Sequence, residues 1–279
     1  MLRQRVITAL VLLALLLPSL FATSPLPFEL FTLVLVSAAG WEWARLNGVG
    51  APLPALATGA LVAALCAASL ASMPPVGDVG GLWWAGTAAW VLGGGLVLRR
   101  GPTGWPGLPL PLRWAIGPVL LWLAWLALAQ ARVIGVNFLL SVLCVVWIAD
   151  ICAYFCGRAF GKRKLAITIS PGKSWEGVYG GVAGVLLLSL VWIWGESQLN
   201  LGSASLFKLL QQLLGWAGLL LVAVLLTGLS VVGDLFESLV KRAAGAKDSS
   251  RLLPGHGGVL DRIDALLPVL PAALALISL

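Results

Sequence analysis

Residues 133–156 read VIGVNFLLSVLCVVWIADICAYFC. Asp150 is the single charge in this run. A helix needs about 20 mostly apolar residues to cross a bilayer core, and this run is long enough. Hydrocarbon offers no water to backbone N–H and C=O groups, so such a run must pair its own backbone as a helix. Working outward, the same pattern recurs. Candidate spans lie near 6–22, 28–45, 51–72, 81–98, 113–130, 133–156, 177–195, 212–232 and 263–279. The last is short and carries Pro268 and Pro271. The sequence lacks the ten-residue segments of alternating polarity that mark a transmembrane β-barrel.

Composition agrees. The chain has 279 residues, of which 60% are hydrophobic and 10% charged, with mean hydropathy +1.00. A soluble domain carries about 25% charged residues, so a water-soluble globule is excluded. The expected fold is all-α: a polytopic integral membrane helical bundle of about nine transmembrane helices. Residues 1–130 contain little chemistry and read as an N-terminal transmembrane scaffold, with a C-terminal transmembrane catalytic region at 131–279. Arg3 and Arg5 precede VITALVLLALLL, as in a signal peptide. No small-x-small cleavage pattern follows, and the run is read as a retained first helix. Cys66, Cys144, Cys152 and Cys156 sit in apolar stretches without a CxxC pair. They read as buried small residues rather than a zinc or disulfide framework. The stretch 101–112, GPTGWPGLPLPL, reads as a turn-rich loop.

Charge placement sets the expected orientation. With the N-terminus cytoplasmic and the spans alternating, all of the 18 Lys and Arg except Arg132 and Lys208 fall inside. The positive-inside rule asks for this distribution. Trp83, Trp84, Trp192 and Trp194 then mark outer span ends, and Trp41, Trp43 and Trp114 inner ones, as an interfacial belt would. Of the 11 acids, Glu29, Asp78 and Glu196 lie toward the outside. Glu42, Asp150, Glu176, Asp234, Glu237, Asp248, Asp261 and Asp264 gather at the inner face. Asp150, Asp234 and Asp264 stand at the ends of three different spans. One such acid would be read as a cap or a partner of nearby Lys and Arg. Several together indicate a polar cavity or a bound ion, because carboxylates at membrane depth are costly.

Three segments carry this chemistry. In DICAYFCGRAFGKRK, residues 150–164, Asp150 and Tyr154 share a helix face, as do Cys152 and Cys156. The basic run that follows would by itself be a lipid-headgroup anchor. In SPGKSWEG, residues 170–177, Gly172-Lys173-Ser174 has the ending of a P-loop. That motif needs Gly at position 167, which is Ile, and no strand is expected to precede it. A turn with free amides, Lys173 and hydroxyls at a helix start still suits phosphate, and Ser174 suits an N-cap. The third segment is GDLFESLVKRAAGAKDSSRLLPGHGGVLDRID, residues 233–264. Asp234, Glu237, Ser238 and Lys241 share one helix face, and Asp261 and Asp264 another. Oxygen ligands from two helices suit a hard cation such as Mg²⁺. Between them, a tight turn holds His256, the one histidine of the chain.

Ser238-x-x-Lys241-Arg242, Lys247-Asp248 and Pro254-x-His256-Gly257-Gly258-x-x-Asp261-Arg262-x-Asp264 together resemble the signature of the phosphatidate cytidylyltransferases, or CDP-diacylglycerol synthases. The segments Asp150–Gly161 and Ser170–Gly177 resemble that family's other motifs in the same order. The motif resemblance covers roughly 147–264, and Ile151-Cys152 departs from it, where related chains carry smaller or hydroxylated residues. The resemblance implies transfer of CMP from CTP to phosphatidate, giving CDP-diacylglycerol and pyrophosphate. It implies catalytic roles for Asp234, Asp261, Lys241 and His256, and an Mg²⁺ site from Asp234, Glu237, Asp261 and Asp264, with a second, monovalent cation left open. Substrate would be bound by Asp150, Tyr154, Lys173, Ser174, Glu176, Ser238, Arg242, Lys247, Asp248, Gly257, Gly258 and Arg262. The implied partners are CTP, phosphatidate and membrane lipids, not nucleic acid, and a homodimer is left open. The implied location is the cytoplasmic (inner) membrane, with the site on its cytoplasmic face. A polyprenol or phytol kinase would pair a membrane alcohol with a nucleotide in the same way, but would release a nucleoside diphosphate. The Asp-Gly-x-x-Ala-Arg signature of CDP-alcohol phosphotransferases is absent. A transporter would place its charges at mid-bilayer and show related halves.

Overall fold

The computed structural model describes residues 2–72, 76–199 and 201–279. Helices α1 (Leu2–Leu20), α2 (Leu26–Leu46) and α3 (Pro52–Ala71) come first. Helix α4 (Gly80–Ala88) passes through a π-helical turn, Ala89–Gly94, into α5 (Gly95–Gly104). Helices α6 (Leu110–Ile134) and α7 (Val136–Phe160) follow, then strands β1 (Lys164–Ala166) and β2 (Ser170–Ser174). The chain ends in α8 (Trp175–Gln198), α9 (Leu206–Ala243), α10 (Leu260–Ile263) and α11 (Leu266–Ile277). An all-α membrane bundle accounts for this architecture, with 79% of the described residues helical.

Each expected span falls on a helix, but seven helices among the described residues are long and apolar enough to cross a membrane. The other two differ for separate reasons. Helix α2 has the length but carries Glu29, Glu42 and Arg45. Helix α11 has 12 residues, about 18 Å at 1.5 Å per residue, well short of a ~30 Å hydrocarbon core. Its residues 267–276 are all buried, and it packs against α4, α6 and α9. An all-round apolar sequence makes α11 a core helix.

Polar tethers sort the helix ends onto two faces. On one, Thr8 Oγ1 donates to Pro254 O at 3.0 Å, Trp43 Nε1 to Arg113 O at 2.9 Å, and Trp105 Nε1 to Asn47 Oδ1 at 2.9 Å. On the other, Arg132 donates to Ala22 O at 2.6 Å and Asn137 to Ser203 O at 2.7 Å. Val259 N and Leu260 N donate to Glu42, which brings the α1, α2 and α6 ends on the first face together with residues 254–260. The belt reading fails for Trp43 and Trp83, which are buried in the bundle. Trp43 stacks on Phe236 of α9 at 6.0 Å between centroids. Trp105, inside the Pro/Gly-rich loop, meets Phe236 edge-on at 5.5 Å. Large aromatics add enough packing to draw a loop inward once the indole N–H has a partner.

Two packing features position the site. Gly215 takes φ +68° and breaks α9. Residues 216–243 then run about 42 Å, longer than the bilayer core, and carry Asp234 to Lys241 to its edge. Helices α7 and α8 meet through small residues. A Cβ on Gly177 would lie 2.8 Å from Ala153 O, and one on Gly181 3.0 Å from Ala149 O. Small residues let helix backbones approach closely in lipid. The unusual Cys152 fits the same seam, where its side chain occupies the space left by Gly184, as Cys156 does at Gly180.

From the sequence, no strand is expected before Ser170, but the structure has one. Strands β1 and β2 form an antiparallel hairpin pairing Lys164 with Ser174 and Ala166 with Ser170. The hairpin links the polar ends of α7 and α8, outside the apolar runs, where non-helical backbone has other partners.

Candidate active site

The ends of α7 and α9, the hairpin, the first turns of α8 and the 248–264 segment enclose a cavity of about 670 Å³. Asp150, Tyr154, Lys173, Ser174, Asp234, Lys241, Asp248, Asp261, Arg262 and Asp264 all line it. These expected site residues come from four separate stretches of chain. Arg158 adds a further cation, and its guanidinium donates to Tyr154 Oη at 3.1 Å. Thr227 lies deeper, two helical turns from Asp234, and Val178 and Val231 continue the wall as apolar surface. The α7–α8 glycine seam forms the remaining wall through Ala149, Ala153, Gly157, Gly177 and Gly181.

Ion pairs order the charges. Lys173 on β2 donates to Asp234 Oδ2 on α9. Ser238 Oγ donates to the other oxygen of Asp234 at 3.3 Å. Asp150 and Asp264 both feel the Asp234 carboxylate as repulsion, relieved by Lys173. Lys241 is shared between Glu237, one turn earlier on α9, and Asp261 Oδ1 at 2.6 Å. Asp261 Oδ2 accepts from Gly258 N at 2.7 Å, Ser249 N at 3.0 Å and Ser249 Oγ at 2.9 Å. Burial alone would raise the Asp261 carboxyl. The bonds from Lys241, Gly258 and Ser249 outweigh burial and hold its pKa at about 2.

The other expected residues stand outside the cavity lining. Glu237 is buried against Lys241. Glu176 accepts from Lys162 N at 3.1 Å and Arg163 N at 3.2 Å, which fastens the end of α7 to the start of α8. Arg242 donates to Ile169 O at 3.3 Å and Ala246 O at 3.2 Å, tying the hairpin turn to the end of α9. Lys247 is exposed. His256 gives its carbonyl to Arg262 Nε at 3.0 Å, and its ring Nδ1 is buried without a hydrogen-bond partner among the described residues. Gly257 has φ +87°, a conformation that favours glycine. A Cβ on Gly258 would run into Ser249 Oγ and the Glu42 carboxylate. Both glycines therefore shape the turn.

Glu42 is the residue that reading the motifs misses. It is wholly buried on α2, yet it bonds to the 249–260 segment of the site. Ser249, beside it, bonds to both Glu42 and Asp261. The signal present in the sequence is a carboxylate near the end of a mostly apolar span.

Among the described residues no three acidic, His or Cys side chains form a ready-made metal cluster. Mg²⁺ does not require one: it is usually held by one or two carboxylates together with waters and substrate phosphates. Asp234 and Asp264 suit that demand, since both line the cavity. Asp261 is already engaged at both oxygens, and an ionised carboxylate offers about four lone-pair sites.

Comparisons with known proteins agree with this chemistry. The model of the cytidylyltransferase family matches residues 3–279. A phosphatidate cytidylyltransferase of Pseudomonas aeruginosa is 42% identical, over 99% of this chain and 97% of that protein. One of Haemophilus influenzae is 34% identical, over 97% and 96%. One of Brucella suis is 46% identical over 52% of this chain and 47% of its own length. With a match over nearly its whole length, and with the family's charged motifs converging on one cavity, the chain belongs to the cytidylyltransferase family.

Proposed function

We propose that this protein is a phosphatidate cytidylyltransferase of the cytoplasmic membrane, converting CTP and phosphatidate into CDP-diacylglycerol and pyrophosphate. The observation that carries the reading is the cavity itself. It joins Lys173, Lys241, Arg158 and Arg262 with Asp150, Asp234 and Asp264 at the edge of the apolar bundle, and continues inward along apolar side chains. A water-soluble triphosphate and a lipid phosphate can meet there, and the Lys and Arg bias supports a cytosolic orientation of this face.

In the reaction, a phosphate oxygen of phosphatidate forms a bond to the α-phosphorus of CTP. The bond from that phosphorus to the oxygen bridging to the β-phosphate breaks, and pyrophosphate leaves. The nucleophile is already anionic, so the protein needs no strong general base. Its work is positioning and charge stabilisation. Lys173, Arg158 and Arg262 bind phosphate oxygens, and Lys241 adds positive charge from the α9 side. Asp234 and Asp264 would hold Mg²⁺, which would supply charge neutralisation for the triphosphate and the leaving group.

The test is to incubate purified, detergent-solubilised protein with phosphatidate and CTP labelled at the α- or the γ-phosphate, with and without Mg²⁺. The reading expects Mg²⁺-dependent lipid labelling from the α-position and γ-label in pyrophosphate. Lipid labelled from the γ-position would identify a kinase instead.

A further inference from the structure

Glu42 is 0% exposed, and no Lys or Arg pairs with it among the described residues. It accepts four hydrogen bonds instead. Ser250 Oγ donates at 2.5 Å, Leu260 N at 2.7 Å, Val259 N at 3.0 Å and Ser249 Oγ at 3.2 Å. Burying a carboxylate is costly unless donors satisfy it, and this one is served entirely by the segment that carries Asp261. Beyond the core packing of Val259 and Leu260, with Leu253 and Ile263 against it, that segment has few polar ties to the rest of the fold. Its helix, α10, is four residues long, too short to persist alone. Its other polar ties include the Leu253–Gly257 bridge, the Arg262–His256 bond, the Thr8–Pro254 bond and the bonds of Asp261 itself. Ser249 joins the two acids directly. Its hydroxyl has one proton and two carboxylate acceptors, Glu42 at 3.2 Å and Asp261 at 2.9 Å.

We propose that Glu42 is a positioning residue for the transfer reaction: it anchors residues 249–260 so that Asp261, and through it Lys241, hold their places at the cavity. The proposal rests on the function proposed above. Glu42 lines no part of the cavity, so it acts through Ser249, Ser250 and the 259–260 amides. Gly258 belongs to the same device, because any side chain there would displace Ser249 or Glu42.

The experiment compares full-length wild type, Glu42→Gln, Ser249→Ala and the double variant carrying both changes, in detergent, by hydrogen–deuterium exchange and by CMP-transfer kinetics per folded molecule. Peptides spanning 249–262 should exchange at least tenfold faster in Glu42→Gln, with peptides from α9 unchanged. Its kcat should fall tenfold or more while KM for phosphatidate stays within twofold, and the double variant should lose no more than the worse single one. A purely structural role would lower the yield of folded protein and leave kcat per folded molecule intact, which would overturn the proposal. Unchanged exchange at 249–262 would overturn it regardless of what the wild type does with CTP, whereas a wild type that labels no lipid would count against the proposed function alone. If Glu42→Gln does not fold, Ser249→Ala decides the same question, because it removes only the shared hydroxyl.

Discussion

Lys241 Nζ lies 2.6 Å from Asp261 Oδ1 and joins the end of α9 to α10. Both side chains are nearly buried, at 12% and 9% exposure, and Glu237 shares the same ammonium. A charge pair this enclosed fixes position as much as it contributes stability. Asp261→Asn keeps the shape but removes the charge that orients Lys241. Turnover should fall on the order of 10²-fold or more, as for loss of a preorganised electrostatic group, while the protein still inserts and folds. Near-normal CMP transfer per folded molecule would show that Asp261 is dispensable.

Lys173 and Asp234 make a second prediction. Their ion pair occupies a carboxylate proposed to hold Mg²⁺. Lys173→Met should raise KM for CTP on the order of tenfold, the loss expected for one charge-assisted hydrogen bond to a phosphate oxygen. The same change should lower the Mg²⁺ concentration needed for half-maximal rate, because Asp234 no longer has a competing cation. A raised Mg²⁺ requirement would argue against Asp234 as a ligand.

Acid should loosen the site in a defined window. The Asp261 pKa is lowered from 3.8 to about 2 in the folded state. Its stabilisation is therefore complete above pH 4 and disappears as pH falls toward 2. It amounts to roughly 2 kcal/mol. Thermal unfolding in detergent should show this component unchanged between pH 7 and 5 and falling below 4. Asp261→Asn should remove the drop at that step; an identical acid profile in the variant would refute the assignment.

Trp105 tests the aromatic floor under α9. Its ring is 2% exposed, and its N–H donates to Asn47 Oδ1. Trp105→Ala should cost roughly 3–5 kcal/mol and lower the unfolding temperature. Trp105→Phe should recover the packing but not the Asn47 bond. A surface loop of ordinary flexibility would tolerate both changes.

Much of the fold is legible along the chain. The run around Asp150, like the others, is apolar over a length that hydrocarbon accepts, and that cost adds residue by residue. Position 215 is not legible as a break, nor residues 266–277 as a core helix: both depend on neighbouring helices. Trp43 and Trp83 read as interfacial because their positions at span ends are visible and their packing partners are not. Of the site, the motifs around Lys173, Asp234 and Asp261 are legible, and the fold brings them to one cavity. Glu42 escapes notice because its partners lie at 249–260, far along the chain.

The sequence by itself determined a helical membrane protein with most of its charges toward one face, because transfer into lipid is a local property of each run. Only the tertiary structure decided which charges meet. Lys173 pairs with Asp234, Lys241 with Asp261, and Glu42 with backbone amides rather than a cation, because electrostatic and hydrogen-bond energies depend on distances that helix packing sets.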